Sequence, residues 1–294
     1  MKKNLNNPFL LAIFWANISC VASGFMVNMV RHLSETMNVV EIIFFRNCFA
    51  FVMFLPYIYI RGLKILKTKR LNTHLLRSFT GVTSMTIYFY CISIMNLSVV
   101  TALSFTAPLF TAILAYFFFG EKFTKHGTLG LVVGFLGTIM IIRPGFEGYD
   151  PRYFFVVISA VFWASSSIVI KKLSRTETPL AITFYMTLLM MIMTAPVVFF
   201  IWETPTYEQM GWAFLIAFTS NILQYGIAKS LALVDFSVVL PIDFTRLIYT
   251  AILAYFAFGE SPDIIAVIGS AVIIGAAFYS SYNEKKIYNK RNPT

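Results

Sequence analysis

Charged side chains set deep in apolar stretches are where this sequence offers chemistry. Arg46 stands in VVEIIFFRNCF, with Glu41 one turn earlier, and Asp243 and Arg246 stand in SVVLPIDFTRLIYTAILAYFAFGE. A charge at the centre of a bilayer costs about 2.5–3.5 kcal/mol even on insertion scales, so each of these needs a partner or a purpose. Asp243 and Arg246 are spaced i, i+3 and share a helix face, which suits a self-neutralising ion pair. The sharper reading puts them on the wall of a solute path. At ~1.5 Å per residue, Arg46 enters roughly 10 Å from one edge and Arg246 roughly 13 Å from the other, so both approach the midplane. There an arginine captures a carboxylate, and Asp243 takes an ammonium or a coupling proton.

Around these charges stand aromatic and amide groups suited to a flat or cationic solute. Trp15 lies beside Asn17, Trp163 occupies the matching place in the second half, and Tyr88 and Gln224 lie in later stretches. Core packing and interhelical hydrogen bonds are the competing roles for the tryptophans and for Gln224 and Asn221. The candidate substrate-binding set is therefore Trp15, Asn17, Arg46, Tyr88, Trp163, Gln224, Asp243 and Arg246. No catalytic set accompanies it. His32, His74 and His126 fall at loop or span ends, and Cys20, Cys48 and Cys91 show no C-x-x-C spacing. No metal, cofactor or disulfide framework is implied.

The elements that must position these residues follow from composition. Of 294 residues, 58% are hydrophobic and 12% charged, with a mean hydropathy of +0.75. A soluble domain carries about 25% charged residues, so this chain needs lipid as solvent. Ten apolar stretches, approximately 8–30, 39–60, 74–95, 98–119, 127–143, 152–170, 180–202, 211–233, 237–258 and 263–282, each suit a bilayer crossing. The formal charge of +10 is not a nucleic-acid signal. Of 23 lysines and arginines, 17 fall on one side of these spans, including the cluster from Arg61 to Arg77, Lys171 and the C-terminal tail. That bias predicts a multi-pass protein with both termini cytoplasmic. Lys229, a turn from the same side, is expected to snorkel.

The chain also repeats itself. Ser98–Glu121 and Ser237–Glu260 match at 15 of 24 positions without a gap, sharing TAILAYF and a closing F-G-E. Ser104 and Ala107 of the first copy stand where the second has Asp243 and Arg246. Ala12-Ile-Phe-Trp-Ala returns as Ala160-Val-Phe-Trp-Ala, and Pro56 returns as Pro196. Two units follow, 1–143 and 152–294, joined by a short polar connection from Pro144 to Arg152. Each holds five spans, an odd number, so the two must be inverted relative to each other, as in secondary transporters. Glu121 and Glu260 close equivalent spans and read as gate or capping groups. Gly127, Gly130, Gly134 and Gly137 form a small-residue stripe suited to close helix packing or to a homodimer contact. One departure stands out: Pro108 is replaced by Leu247, and Pro241 lies six residues earlier. A helix break near Pro241 would set the Asp243/Arg246 turn differently from its counterpart.

The ten-span plan, the A-x-F-W-A openings and the doubled S-x-x-x-x-x-F-T … A-I-L-A-Y-F-x-F-G-E signature resemble the EamA-type carriers of the drug/metabolite transporter superfamily. The resemblance covers nearly the whole chain. It implies an all-α, ten-helix, 5+5 inverted-repeat bundle in a bacterial inner membrane that moves small organic solutes by alternating access. The FFR of the second span, the Thr-Ser and Tyr88 of the third and S-F-x-x-P-L-F-T of the fourth are most similar to S-adenosylmethionine uptake carriers. Amino-acid, amine or riboflavin-like vitamin carriers and exporters of the same family are the alternatives. A membrane enzyme is a remote one.

Overall fold

The computed structural model describes residues 8–62, 66–95, 100, 103–121, 123–142, 151–258 and 264–291. Glu260, Arg143 and the connection from Pro144 to Asp150 lie outside them. The helices are α1 (Pro8–Leu33), α2 (Val39–Arg61), α3 (Leu71–Ile94), α4 (Ala107–Phe119), α5 (Lys125–Ile142), α6 (Tyr153–Ser174), α7 (Pro179–Ile201), α8 (Tyr207–Leu233), α9 (Phe236–Asp243), α10 (Thr245–Phe258) and α11 (Ile264–Arg291). No strand occurs among the described residues. α9 and α10 are two halves of one crossing, so the bundle has ten transmembrane spans.

Local chemistry sets the ends. Asn38 and Thr178 accept backbone N–H groups at the starts of α2 and α7, and Thr206 with Gln209 forms a reciprocal capping box at α8. The F-G-E motif explains itself at the end of α4. Gly120 takes a left-handed conformation (φ 64°), and the N–H groups of Gly120 and Glu121 close on the carbonyls of Tyr116 and Ala115. That stop turns Glu121 back toward the second half.

Among the described residues four helices, α1, α2, α6 and α7, are long and apolar enough to cross a membrane by themselves. Buried polar groups such as Asn28, Arg46, Gln224 and Glu284 occur in helices of both kinds and depend on neighbours to hide them. Large side chains such as Phe117, Phe118, Phe199, Phe200, Phe256 and Phe278 project outward, as a lipid-facing surface requires.

The packing is that of an inverted repeat. α1 lies on α8 as α3 lies on α6, and α1 lies on the α9/α10 span as α6 lies on α4. α2 packs on α7, and α5 on α11. Exchanging the two halves leaves this set of neighbours unchanged. The glycine stripe is used inside the chain: a Cβ at Gly130 would meet Ser280, one at Gly137 would meet Ile273, and one at Gly134 would sit 2.8 Å from the Phe244 ring.

Candidate functional site

Both copies of the repeated stretch break at the same dipeptide. In the second, α9 ends at Asp243 and α10 begins at Thr245; in the first, residues 103–104 are helical, Phe105 and Thr106 form a turn and α4 begins at Ala107. Thr106 Oγ1 donates to the Leu103 carbonyl at 2.6 Å, and Thr245 Oγ1 donates to the Ile242 carbonyl at 2.7 Å. This threonine back-bond to the i−3 carbonyl competes with the helical ladder. The Ile242 carbonyl also receives the Cys20 thiol at 3.6 Å. Both breaks therefore fall at the repeat-equivalent Phe-Thr rather than at the displaced proline, and Pro241 is carried inside α9.

The two breaks meet at the centre. Phe105 and Phe244, both fully buried, stack with centroids 5.6 Å apart and planes 19° apart. They are repeat-equivalent residues, so the stack lies where the two halves face each other. Arg246 extends over the Phe105 ring at 4.9 Å and reaches Asp243 at 3.7 Å. The pair expected from the i, i+3 spacing exists, and Arg246 also lines a central cavity.

That cavity is bounded by Ser104 and Ala107 from the first copy, Arg246 from the second, Tyr88 and Ser84 of α3, Trp163 of α6 and Gln224 of α8. Its free volume is about 60 Å³, room for a few water molecules. Equivalent positions of both repeats thus face one space, with small side chains on one wall and a guanidinium on the other.

Arg46 is brought near this space but not into it. It is buried (1% exposed), donating from Nη1 to Ser220 Oγ at 2.9 Å and from Nη2 to Asn47 Oδ1 at 3.0 Å. Beside it lies Arg77, which the charge bias counts with the basic residues of one side of the spans. Arg77 belongs to the second turn of α3, is 1% exposed, and donates from Nη2 to Gln224 Oε1 at 2.7 Å. The signal that would have found it was position: with the helix beginning at Leu71, Arg77 is already roughly 9 Å inside.

Trp15 and Asn17 are placed elsewhere. Trp15 makes an edge contact with Tyr225, and Asn17 faces outer grooves and receives the Tyr249 hydroxyl. Asn221 donates to the Ala50 carbonyl, tying α8 to α2, while Gln224 both lines the cavity and bonds across helices. His74 stands at a span end, in the first turn of α3, and is buried against Tyr185.

At the face carrying the basic loops, where the charge bias counts it, Lys171 is buried too. It reaches Asp235 at 3.0 Å, the Val234 carbonyl and Glu121 at 3.7 Å, and Glu121 accepts the Phe236 N–H at 3.1 Å. Burial pushes the Glu121 carboxyl above the usual carboxylate range, against the opposing pull of Lys171. This network links the end of α4, the end of α6 and the start of α9, and it borders a polar recess of about 610 Å³.

Among the described residues no cluster of histidine, cysteine, aspartate or glutamate is fit to hold a metal. Comparison with known proteins agrees with the architecture. The model of the EamA-like transporter family matches residues 10–143 and again 151–282. An S-adenosylmethionine uptake transporter of Rickettsia felis is 30% identical over 97% of both chains. A riboflavin transporter of Brucella anthropi is 29% identical over 82% of this chain and 87% of its own. A solved crystal structure, 14% identical, superposes with a TM-score of 0.77 over 92% of this chain and 97% of the other. With two inverted five-span halves meeting at twin helix breaks and both halves matching one transporter model, the chain belongs to the EamA-like transporter family.

Proposed function

We propose that the protein is a secondary carrier that takes S-adenosylmethionine up across a bacterial inner membrane, with both termini in the cytoplasm. The observation that carries this reading is one central cavity that combines the Arg246 guanidinium, paired with Asp243, with the aromatic groups of Trp163 and Tyr88. S-adenosylmethionine presents a carboxylate, an ammonium, a sulfonium and an adenine, the groups that arginine, aspartate and aromatic faces receive. Relatives named for this solute match the chain almost end to end. Trp163 and Tyr88 alone favour a second reading, a flat riboflavin-like ring, for which the charges would be superfluous.

A cavity of about 60 Å³ does not admit such a solute without parting of its walls. In this proposal the units 1–143 and 152–294 rock about the Phe105–Phe244 stack, and the Glu121–Lys171–Asp235 network opens and closes the cytoplasmic side. The test is flux of labelled S-adenosylmethionine into proteoliposomes, with chemical analysis of the contents. Accumulation of intact solute supports the carrier, and it is expected to be lost in Arg246→Ala and in Asp243→Asn at normal membrane yield. Chemical conversion without flux would instead mark an enzyme, and undiminished uptake by both variants would remove this cavity from the pathway.

A further inference from the structure

Two guanidiniums lie fully buried next to the cavity, and among the described residues neither meets a carboxylate. Arg77 and Arg46 are held by successive turns of α8, through Gln224 and Ser220. From α7 they meet only thioethers: Met186 Sδ lies 3.2 Å from Arg77 Nη2, and Met190 Sδ lies 3.9 Å from Arg46 Nη2. Sulfur of this kind is a weak acceptor. Two other acids of the spans are committed elsewhere, Glu41 to the Glu203 N–H and Asp243 to Arg246. Three donors remain buried without an acceptor, Nε of both arginines and Nη1 of Arg77. A fully buried arginine is normally paired, and an unpaired one is a standing demand for an anion. Here two such groups are held one helical turn apart along α8.

We propose that Arg77, with Arg46 behind it, forms a carboxylate-binding subsite reached through Gln224, and that this subsite makes a free carboxylate on the solute a condition of transport. Gln224 is the hinge of the argument. It lines the cavity, and its amide oxygen is the acceptor that Arg77 holds. A solute carboxylate oxygen entering from the cavity takes the place of that neutral oxygen and satisfies the idle donors in addition, in the forked geometry guanidinium groups favour. The carboxylate thereby passes from Arg246, to which the carrier reading gives it, to Arg77, and Asp243 is left for the ammonium on the same carbon. This inference rests on the carrier reading and sharpens its substrate class to carboxylate-bearing molecules.

The experiment is competition for labelled S-adenosylmethionine uptake in proteoliposomes, by unlabelled S-adenosylmethionine and by its decarboxylated form, which keeps the adenosyl, sulfonium and amine groups. In the unaltered protein the decarboxylated compound is expected to compete at least about tenfold more weakly, the ratio that loss of a hydrogen bond to a charged group produces. Arg77→Gln is expected to bring that ratio to within about twofold, and Arg77→Lys to restore part of it. Equal competition in the unaltered protein, or an unchanged ratio in a well-expressed Arg77→Gln variant, overturns the subsite. If no S-adenosylmethionine enters at all, the carrier reading for that solute fails. The subsite is then judged on thermal stabilisation by methionine against 3-(methylthio)propylamine. Stabilisation by the carboxylate compound alone, lost in Arg77→Gln, sustains it, and equal or absent stabilisation overturns it.

Discussion

Arg246 shows how one side chain converts a duplicated wall into a selective one. The first repeat offers Ser104 and Ala107 to the cavity, and the second offers Arg246 with Asp243 behind it. Had both copies kept alanine, the cavity would be larger and without a fixed charge. Glu121 is the residue with the clearest pH signature. Its carboxyl is raised from the ordinary 4.5 mainly by burial. In the window above 4.5 the folded chain therefore binds a proton that the unfolded chain has released. The contribution to stability is present below that value and is lost as pH rises through the folded pKa. Raising the pH from about 5 to about 8 is thus expected to lower the melting temperature of the unaltered protein more than that of Glu121→Gln. Parallel curves for the two proteins would show that this carboxyl titrates normally.

At the scale of elements, the decisive feature is that the fourth and ninth spans are broken in register. Each break frees carbonyls at mid-membrane, and each is covered by its own threonine, Thr106 or Thr245. A break so covered is tolerated only where protein rather than lipid surrounds it. α5 supplies that cover on one side through Gly134, whose Cα hydrogens face the Phe244 ring. A Cβ there would approach Phe244 Cδ2 to 2.8 Å, and the ring cannot yield because it is stacked on Phe105. Gly134→Val is therefore expected to cost about 1–3 kcal/mol by overpacking, with uptake reduced in step. Gly275→Val, where a Cβ meets nothing within 4 Å, is expected to be silent. Thermal unfolding in detergent compares the two, and equal tolerance would mean that α5 does not lock the break.

For the whole molecule, the inverted pairing of neighbours places the basic loops, the C-terminal end of α11 and the Lys171 network on one face, and Tyr207 on the other. Tyr207 is 96% exposed. If the basic face is cytoplasmic, a cysteine at Tyr207→Cys is expected to react with an impermeant maleimide in intact cells. One at Lys286→Cys is expected to react only after permeabilisation. The reverse pattern would invert the topology and, with it, the side on which Glu121, Lys171 and Asp235 act.

Much of this architecture was legible in the chain. Membrane residence follows from composition and the inverted halves follow from an odd number of spans per repeat, whereas the break expected near Pro241 falls instead at Phe244, level with Phe105-Thr106, because Pro241 is accommodated inside α9. The i, i+3 pair of Asp243 and Arg246 was also readable, because a helix fixes which near neighbours share a face. What tertiary structure alone decided is which distant groups meet. Arg77 and Gln224 lie 147 residues apart, and Lys171 and Asp235 lie 64 apart. No local rule relates such positions, and helices that are apolar nearly all round give no periodic signal of which side faces the cavity. Hence Arg77 and Lys171 read only as charges of the basic face, and Trp15 as the twin of Trp163. Ten crossings and their inversion can be read along the chain; packing settled where the repeated span breaks and which polar groups turn inward, because in lipid each of them needs a partner that only another helix can bring.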